Sequence, residues 1–175
     1  ILVVPGVRSL QPYQPGKNIE ELERELGISG IVKLASNENP RAPSASVGRA
    51  VTQMLPELSR YPDGGGFYLK QALADQLAVA PGQITLGNGS NDVLELITRA
   101  FVQPGQGVIV SQHSFAVYTL AAKSVGANLR VVPAIHWGHD LDGMAEVVDS
   151  ETRIIFIANP NNPTGTWVSR HSLIN

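Results

Sequence analysis

Hydrophobic and polar positions divide the 175-residue chain into two stretches with different patterns. Before residue 46 the pattern predicts one helix, Ile19–Leu26, which Asn18 caps and Gly27 ends. The segments on either side of this helix contain prolines and predict an extended arm. From residue 46 onward, apolar stripes at helical spacing alternate with short apolar runs, a pattern typical of an α/β fold.

The second stretch predicts a mostly parallel sheet with helices on both faces, because its strands are separated by helices. The run 153–158 gives the clearest signal of a buried strand, since residues 154–157 include no polar position. Ligands of such sheets bind beyond the carboxyl ends of the strands. The predicted helices are 46–55, 67–79, 91–102, 115–124 and 141–148, the predicted strands are 83–86, 108–111, 129–133 and 153–158, and the loops at the expected site are 87–91, 111–115 and 159–165.

Composition excludes several classes of function. Thirteen basic and fifteen acidic residues leave a net charge of -2, so the chain has no positive excess for binding nucleic acid. The absence of cysteine excludes disulfides, cysteine zinc sites and thiolate nucleophiles. No apolar run approaches the roughly 18 residues of a membrane span. These features predict a soluble protein of a reducing compartment, the cytoplasm.

The segment 87–92, Gly-Asn-Gly-Ser-Asn-Asp, lies where a helix is predicted to start. Glycines allow close backbone approach, and the first N–H groups of a helix favour an anion, so the segment suits a phosphate. It lacks the third glycine of a dinucleotide-binding loop and the Gly-Lys-Ser/Thr of a P-loop. A tight turn with a helix cap explains the same residues, and both interpretations stay open.

The segment 159–165, Asn-Pro-Asn-Asn-Pro-Thr-Gly, follows the last predicted strand. Its asparagine amides can donate hydrogen bonds to a ligand oxygen without adding charge, and either Asn-Pro bond can be cis. Because asparagine and proline are also common turn residues, an ordinary loop is the better explanation of the segment taken alone.

A third group invites a metal interpretation. His136, His139, Asp140 and Asp142 combine imidazole and carboxylate groups, which suit zinc. They lie in a glycine-containing connection between a strand and a helix, which an ordinary loop explains. We therefore predict no metal site.

Taken with its apolar strand, the segment 159–165 resembles the hallmark loop of the fold-type I, pyridoxal-phosphate-dependent aminotransferases. Other segments resemble one branch, the histidinol-phosphate aminotransferases, and occur in that family's order. They are 12–17 (PYQPGK), 34–40 (LASNENP), 60–63 (RYPD) and 87–92. The resemblance implies an incomplete large domain: residues 1–45 would form the amino-terminal arm and part of the small domain, and residues 46–175 the first part of the large domain.

The resemblance implies pyridoxal 5'-phosphate as cofactor and assigns residues to it. Gly89, Ser90 and Asn91 would hold its phosphate. Phe115 would stack on its pyridine ring, at a position where tyrosine is common and phenylalanine keeps the aromatic face. Asn162 would donate to its phenolic oxygen.

Other positions imply a partner and a substrate. Tyr61 would reach the cofactor phosphate of a second subunit, which implies a homodimer. Tyr13 and Asn37, together with Asn162, would approach the substrate. The pair Arg41-Ala42 departs from the usual Leu-Gly of the family, so the resemblance does not specify the path of the chain there.

The implied reaction transfers an amino group between histidinol phosphate and 2-oxoglutarate, a step of histidine biosynthesis. The family uses a lysine that forms a Schiff base with the cofactor, and none of Lys17, Lys33, Lys70 and Lys123 lies in the expected Ser-Lys setting. The chain is therefore expected to be a truncation that is inactive alone. Two alternatives stay open: a non-catalytic truncated product that binds a phosphate ligand or a partner, and an aminotransferase for aromatic amino acids.

Overall fold

The computed structural model describes residues 5–8, 10–12 and 16–174, which divide into two compact units. The first unit combines the described residues up to 12 with those from Thr85 onward, and the second runs from Gly16 to Ile84. The helices are α1 (Pro5–Arg8), α2 (Ile19–Leu26), α3 (Ala45–Met54), α4 (Phe67–Leu77), α5 (Ser90–Phe101), α6 (Ala116–Ser124), α7 (Leu141–Glu146) and α8 (Arg170–Ile174), with short 3-10 turns at Leu55–Glu57 and Pro81–Gln83.

The first unit is built on a three-stranded parallel sheet, which confirms the predicted α/β class. Its strands are β1 (Gly107–Ser111), β2 (Asn128–Val132) and β3 (Thr152–Phe156), in the spatial order β2-β1-β3. All five residues of β1 are buried, because it has a neighbour on each side and helices on both faces. Ile109 of β1 lies opposite Arg130 of β2 and Ile155 of β3.

The side chains of β1 alternate between two apolar clusters. Val108 and Val110 pack with residues of α6, including Tyr118 and Ala122, and with Phe156 of β3. Ile109 points to the other face, where it packs with Val132 of β2 and Met144 of α7. This period of two places α6 on one face of the sheet and α7 on the other. Fully burying an aliphatic side chain of this kind contributes roughly 1.5–3 kcal/mol.

A polar cluster also joins β2 to the start of β3. Arg130 donates to the carbonyl of Val147 at 2.6 Å and forms an ion pair with Asp149. Asp149 also accepts from the hydroxyl of Thr152 at 2.9 Å. The hydrogen bond from Arg130 is the main reason why the pKa of Asp149 falls from 3.8 to about 2.

Local capping defines the helices of the second unit. The side chain of Asn18 accepts from the backbone N–H of Glu21 at 3.1 Å, and Gly27 ends α2 with a φ of 64°. Ser44 caps α3 in the same way. These findings confirm the predicted start and end of α2 to the residue.

One predicted strand is wrong. Residues 83–86 follow the 3-10 turn Pro81–Gln83, and although Ile84 is extended (φ -114°, ψ 122°), no strand of the described chain pairs with this segment. Apolar pattern and extended backbone do not make a strand without a neighbouring ladder. The loop 87–91 therefore precedes a helix without following a strand.

Two further expectations need correction. The apolar run predicts a buried β3, but β3 is an edge strand in the described chain and Ile155 is 41% exposed, whereas all of β1 is buried. The amino-terminal segment is not extended throughout, because α1 forms one helical turn that packs against α6. None of the described helices is long and apolar enough to cross a bilayer.

Candidate functional site

Two of the three predicted site loops are in direct contact at the carboxyl end of the sheet. The side-chain amide of Asn161, in the loop after β3, donates to the carbonyl of His113, in the loop after β1, at 2.9 Å. The same Nδ2 donates to the hydroxyl of Thr164 at 2.8 Å. The two loops are neighbours because β1 and β3 are adjacent parallel strands.

The loop 159–165 folds back on itself through two backbone hydrogen bonds. Its Asn159–Pro160 and Asn162–Pro163 peptide bonds are both cis. The N–H of Gly165 donates to the carbonyl of Asn161 at 2.8 Å, and the N–H of Asn161 donates to the carbonyl of Thr166 at 2.7 Å. Within this turn Asn161 is buried and Asn162 is half-buried.

Phe115 lies immediately before α6 and is half-buried. It packs against the core, where its ring meets that of Tyr118 edge-on, with centroids 6.0 Å apart. Tyr118 is in turn stacked on Phe156 at 4.6 Å, and burial raises the pKa of its hydroxyl. The aromatic contacts therefore anchor Phe115 to the sheet.

The loop 87–91 is an ordered turn at the start of α5. Gly89 has a φ of 81°, and a Cβ added there would meet nothing within 4 Å. A Cβ at Gly87 would lie 2.9 Å from a methyl group of Val93 and 3.0 Å from the carboxylate of Asp92, so that position is closely packed. The same carboxylate accepts from the N–H of Asn88 at 3.0 Å.

The start of α5 lies on the same face of the sheet as Phe115. Leu94, one turn into α5, and Phe115 both pack against the apolar cluster that includes Val110 and Phe156. Gly89 immediately precedes α5, and Ser90 and Asn91 begin it, so all three lie at the start of a helix that shares this apolar cluster with Phe115.

The remaining predicted site residues belong to the second unit or fall outside the described residues. Asn37 and Tyr61 are both exposed in the second unit, and Asn37 has a φ of 51°. Tyr13 lies outside the described residues. Their predicted roles at a cofactor or substrate stay predictions.

In the group of histidines and aspartates, His139 and Asp140 make hydrogen bonds with the backbone. His139 is buried, with its Nε2 2.8 Å from the carbonyl of Ala158. Asp140 caps α7 by accepting from the N–H of Gly143 at 3.0 Å. Among the residues that the structure describes, no three histidine, aspartate or glutamate side chains are grouped to hold a metal ion.

Sequence reasoning missed the role of Asn161 and its partners His113 and Thr164. Three asparagines occur within four residues of this loop, and all three suit a turn. The burial of one of them depends on the adjacency of β1 and β3, which the local pattern does not specify. The only available signal was the unusual density of amide side chains.

Comparison with known proteins identifies relatives of this chain. The family model for aminotransferase class I and II matches residues 29–174. The chain is 55% identical over 174 residues to histidinol-phosphate aminotransferase 2 of Pseudomonas fluorescens, which covers 98% of the chain and 47% of the relative. It is 56% identical over 172 residues to histidinol-phosphate aminotransferase 1 of Idiomarina loihiensis, with the same coverage. The chain thus spans about half the length of the curated relatives it matches.

Solved structures give the same result for the fold. The crystal structure of histidinol-phosphate aminotransferase from Sinorhizobium meliloti in complex with pyridoxal-5'-phosphate matches 99% of the chain and 46% of that protein, with a TM-score of 0.86 and 30% identity. Aspartate aminotransferase from Thermotoga maritima matches with a TM-score of 0.80 at 22% identity, a likeness of fold. The described sheet is accordingly part of a fold-type I large domain, and the chain belongs to the aminotransferase class I and II family.

Proposed function

We propose that this chain supplies part of the pyridoxal 5'-phosphate site of a histidinol-phosphate aminotransferase. When bound, this cofactor acts as an electron sink for transfer of an amino group. The observation that carries the proposal is the hydrogen bond from Asn161 to His113, which joins the loop of Asn162 to the loop of Phe115. An aromatic ring and an amide donor therefore lie in neighbouring loops at one end of the sheet. The 55% identity to a histidinol-phosphate aminotransferase supports the substrate class.

The start of α5 suits the phosphate end of the cofactor. The first four N–H groups of any α-helix have no partner within the helix, and the helix dipole favours an anion there. The open space at Gly89 lets a ligand approach the backbone closely. Ser90 and Asn91 are both exposed at this helix end and add side-chain donors.

The other two loops suit the ring of the cofactor. Phe115 would offer an aromatic face, and its contact with Tyr118 restricts its movement. Asn162 would donate from its amide to the phenolic oxygen and so stabilise negative charge on that oxygen. A donor held in a fixed position would stabilise this charge without having to reorient, which is the usual source of electrostatic stabilisation in enzymes.

The proposal also includes contacts to a partner subunit and to the substrate. Tyr61, which is fully exposed in this chain, would reach the cofactor phosphate of a second subunit in a homodimer. Tyr13 and Asn37 would approach the substrate together with Asn162. Residues 1–45 would form the arm and part of the small domain, and residues 46–175 the first part of the large domain.

Activity requires a lysine that this chain does not supply at the expected place. Among the described residues, Lys17 forms an ion pair with Glu25 and Lys33 with Glu38. We expect the 175-residue chain alone to leave histidinol phosphate and 2-oxoglutarate unchanged, and a complete polypeptide of about twice 18.7 kDa to convert them.

The mass of the protein purified from its source tests which polypeptide is present, and a transamination assay tests its activity. The complete protein is expected to form glutamate from 2-oxoglutarate with histidinol phosphate as donor, faster than with phenylalanine or tyrosine. A preference for the aromatic amino acids would support the alternative aminotransferase. A protein of 18.7 kDa that binds inorganic phosphate but no pyridoxal phosphate would support the non-catalytic alternative.

Two variants test the assigned site. Asn162→Ala is expected to weaken cofactor binding by about tenfold, since it removes one hydrogen bond to an ionised oxygen. Asn128→Ala is the matched control, because Asn128 is exposed at the opposite, amino-terminal end of β2. Equal cofactor affinity in the Asn162 variant and the control would contradict the assignment of Asn162.

A further inference from the structure

We infer that Asn161 is a positioning residue, whose side chain holds the loop of Phe115 and the loop of Asn162 in the arrangement that the cofactor requires. The inference rests on the proposed function, because it concerns the geometry of the same site. It adds a residue that makes no cofactor contact of its own and acts through the two loops on either side of it.

The amide of Asn161 is buried and directed at fixed acceptors. The residue is 3% exposed, and its Nδ2 donates one hydrogen to His113 and the other to Thr164. A backbone carbonyl accepts only from a donor, so the amide nitrogen must face His113. The oxygen of the same amide is buried without a hydrogen-bond partner in the described part of the chain. Burying an amide whose oxygen has no partner lowers the stability of the folded chain. The two hydrogen bonds from the nitrogen are the contacts that offset this cost.

The hydrogen bonds continue beyond Asn161 into a third connection. The hydroxyl of Thr164 lies 2.9 Å from that of Thr166, and Thr166 donates to the carbonyl of Trp137 at 3.4 Å. The ring of Trp137 lies against that of His113, with centroids 4.8 Å apart. Asn161 is therefore part of a closed ring of contacts that joins the segments after β1, β2 and β3.

This ring of contacts fixes the spacing of Phe115 and Asn162. Phe115 is two residues beyond the acceptor His113, and Asn162 is next to Asn161. A group that stacks on one residue and accepts from the other needs both held to within about 0.5 Å. Without the amide bridge, two separate loops would have to adopt that spacing during binding, and ordering them would weaken the affinity.

The experiment compares three variants of the complete polypeptide that contains this chain. Asn161→Ala removes both hydrogen bonds, and Asn161→Asp keeps the shape but places a carboxylate oxygen against the carbonyl of His113. Asn159→Ala is the matched control in the same loop: its side chain bonds twice to Val168, at 2.9 and 3.0 Å, and makes no bond to the loop of Phe115. Each variant is measured for thermal unfolding without cofactor, for the Kd of pyridoxal phosphate, and for the circular dichroism of the bound cofactor.

Both Asn161 variants are expected to raise the Kd by about tenfold or more, at a temperature where all proteins are folded, and to change the circular dichroism of the cofactor at saturation. The Asn159 variant is expected to lower the unfolding temperature and leave both cofactor signals unchanged. The inference is overturned if the Asn161 variants lower the unfolding temperature but bind cofactor like the wild type. If the wild-type protein itself binds no pyridoxal phosphate, the proposed function fails instead.

Discussion

The two units of this chain are stabilised in different ways. In the first, a central strand is buried on both faces, and the two clusters around Val108 and Ile109 fix the helices. In the second, Ala74 is the one fully buried apolar residue among those described, while Leu34 and Leu58 are 93% and 73% exposed. Helix caps at Asn18 and other polar residues define its structure instead. Long-range packing therefore dominates the first unit and local hydrogen bonding the second.

The largest expected effect comes from the core of the first unit. Ile109→Ala is expected to lower the free energy of unfolding by about 3 kcal/mol, because it leaves a cavity where the side chain is fully buried. Leu58→Ala, in the exposed part of the second unit, is expected to change it by less than about 0.5 kcal/mol. Urea unfolding of both variants measures the difference, and equal effects would show that the comparison between the units is wrong.

A smaller effect is expected from a cap. Asn18→Ala is expected to destabilise α2 by about 1 kcal/mol, whereas Asn18→Gly, which still suits a cap position, costs only a few tenths. Hydrogen exchange is the measurement: amides of α2 should exchange faster in the alanine variant, and those of β1 should not change. Faster exchange in β1 would mean that the two units unfold together.

The smallest expected effect concerns the stability of the folded chain at low pH. The pKa of Asp149 lies at about 2 in the folded chain against an ordinary 3.8, so its stabilising contribution is present above about pH 4 and is lost as the pH falls toward 2. Asp149→Asn is expected to reduce the loss of stability in that window, measured by urea unfolding from pH 6 to pH 2. An unchanged pH profile would contradict this.

Asp63 gives the counterpart in the second unit. The N–H groups of Phe67 and Gly65 donate to its carboxylate and lower its pKa. Asp63→Asn is expected to act in the same direction as Asp149→Asn, but with its effect confined to α4, which the carboxylate caps. Comparing amide exchange in the two variants separates a local contribution from one that spans the sheet.

The contrast between local hydrogen bonding and long-range packing also explains which features the amino-acid sequence predicts. The bounds of α2 follow from Asn18 and Gly27, signals that lie within a few residues of each helix end. The strand at 83–86 is wrong, and β3 is more exposed than its apolar run suggests, because pairing and burial depend on which segments become neighbours. At the proposed site, the assignments of Phe115 and Asn162 follow from a family resemblance. The burial of Asn161 does not follow from it, because three asparagines in one loop look alike until the strands are placed.

The hydrogen bond from Asn161 to His113 joins residues 48 positions apart in the chain. It forms only after the polypeptide has left β1, crossed both faces of the sheet and returned as β3 to the side of β1 that β2 does not occupy. Contacts of such long sequence separation slow folding, because the chain loses the entropy of closing a large loop before it gains the contact. A ligand that needs both loops therefore binds only molecules in which this closure is complete. By mass action, its binding raises the population of the closed form, so the ligand itself promotes completion of the sheet.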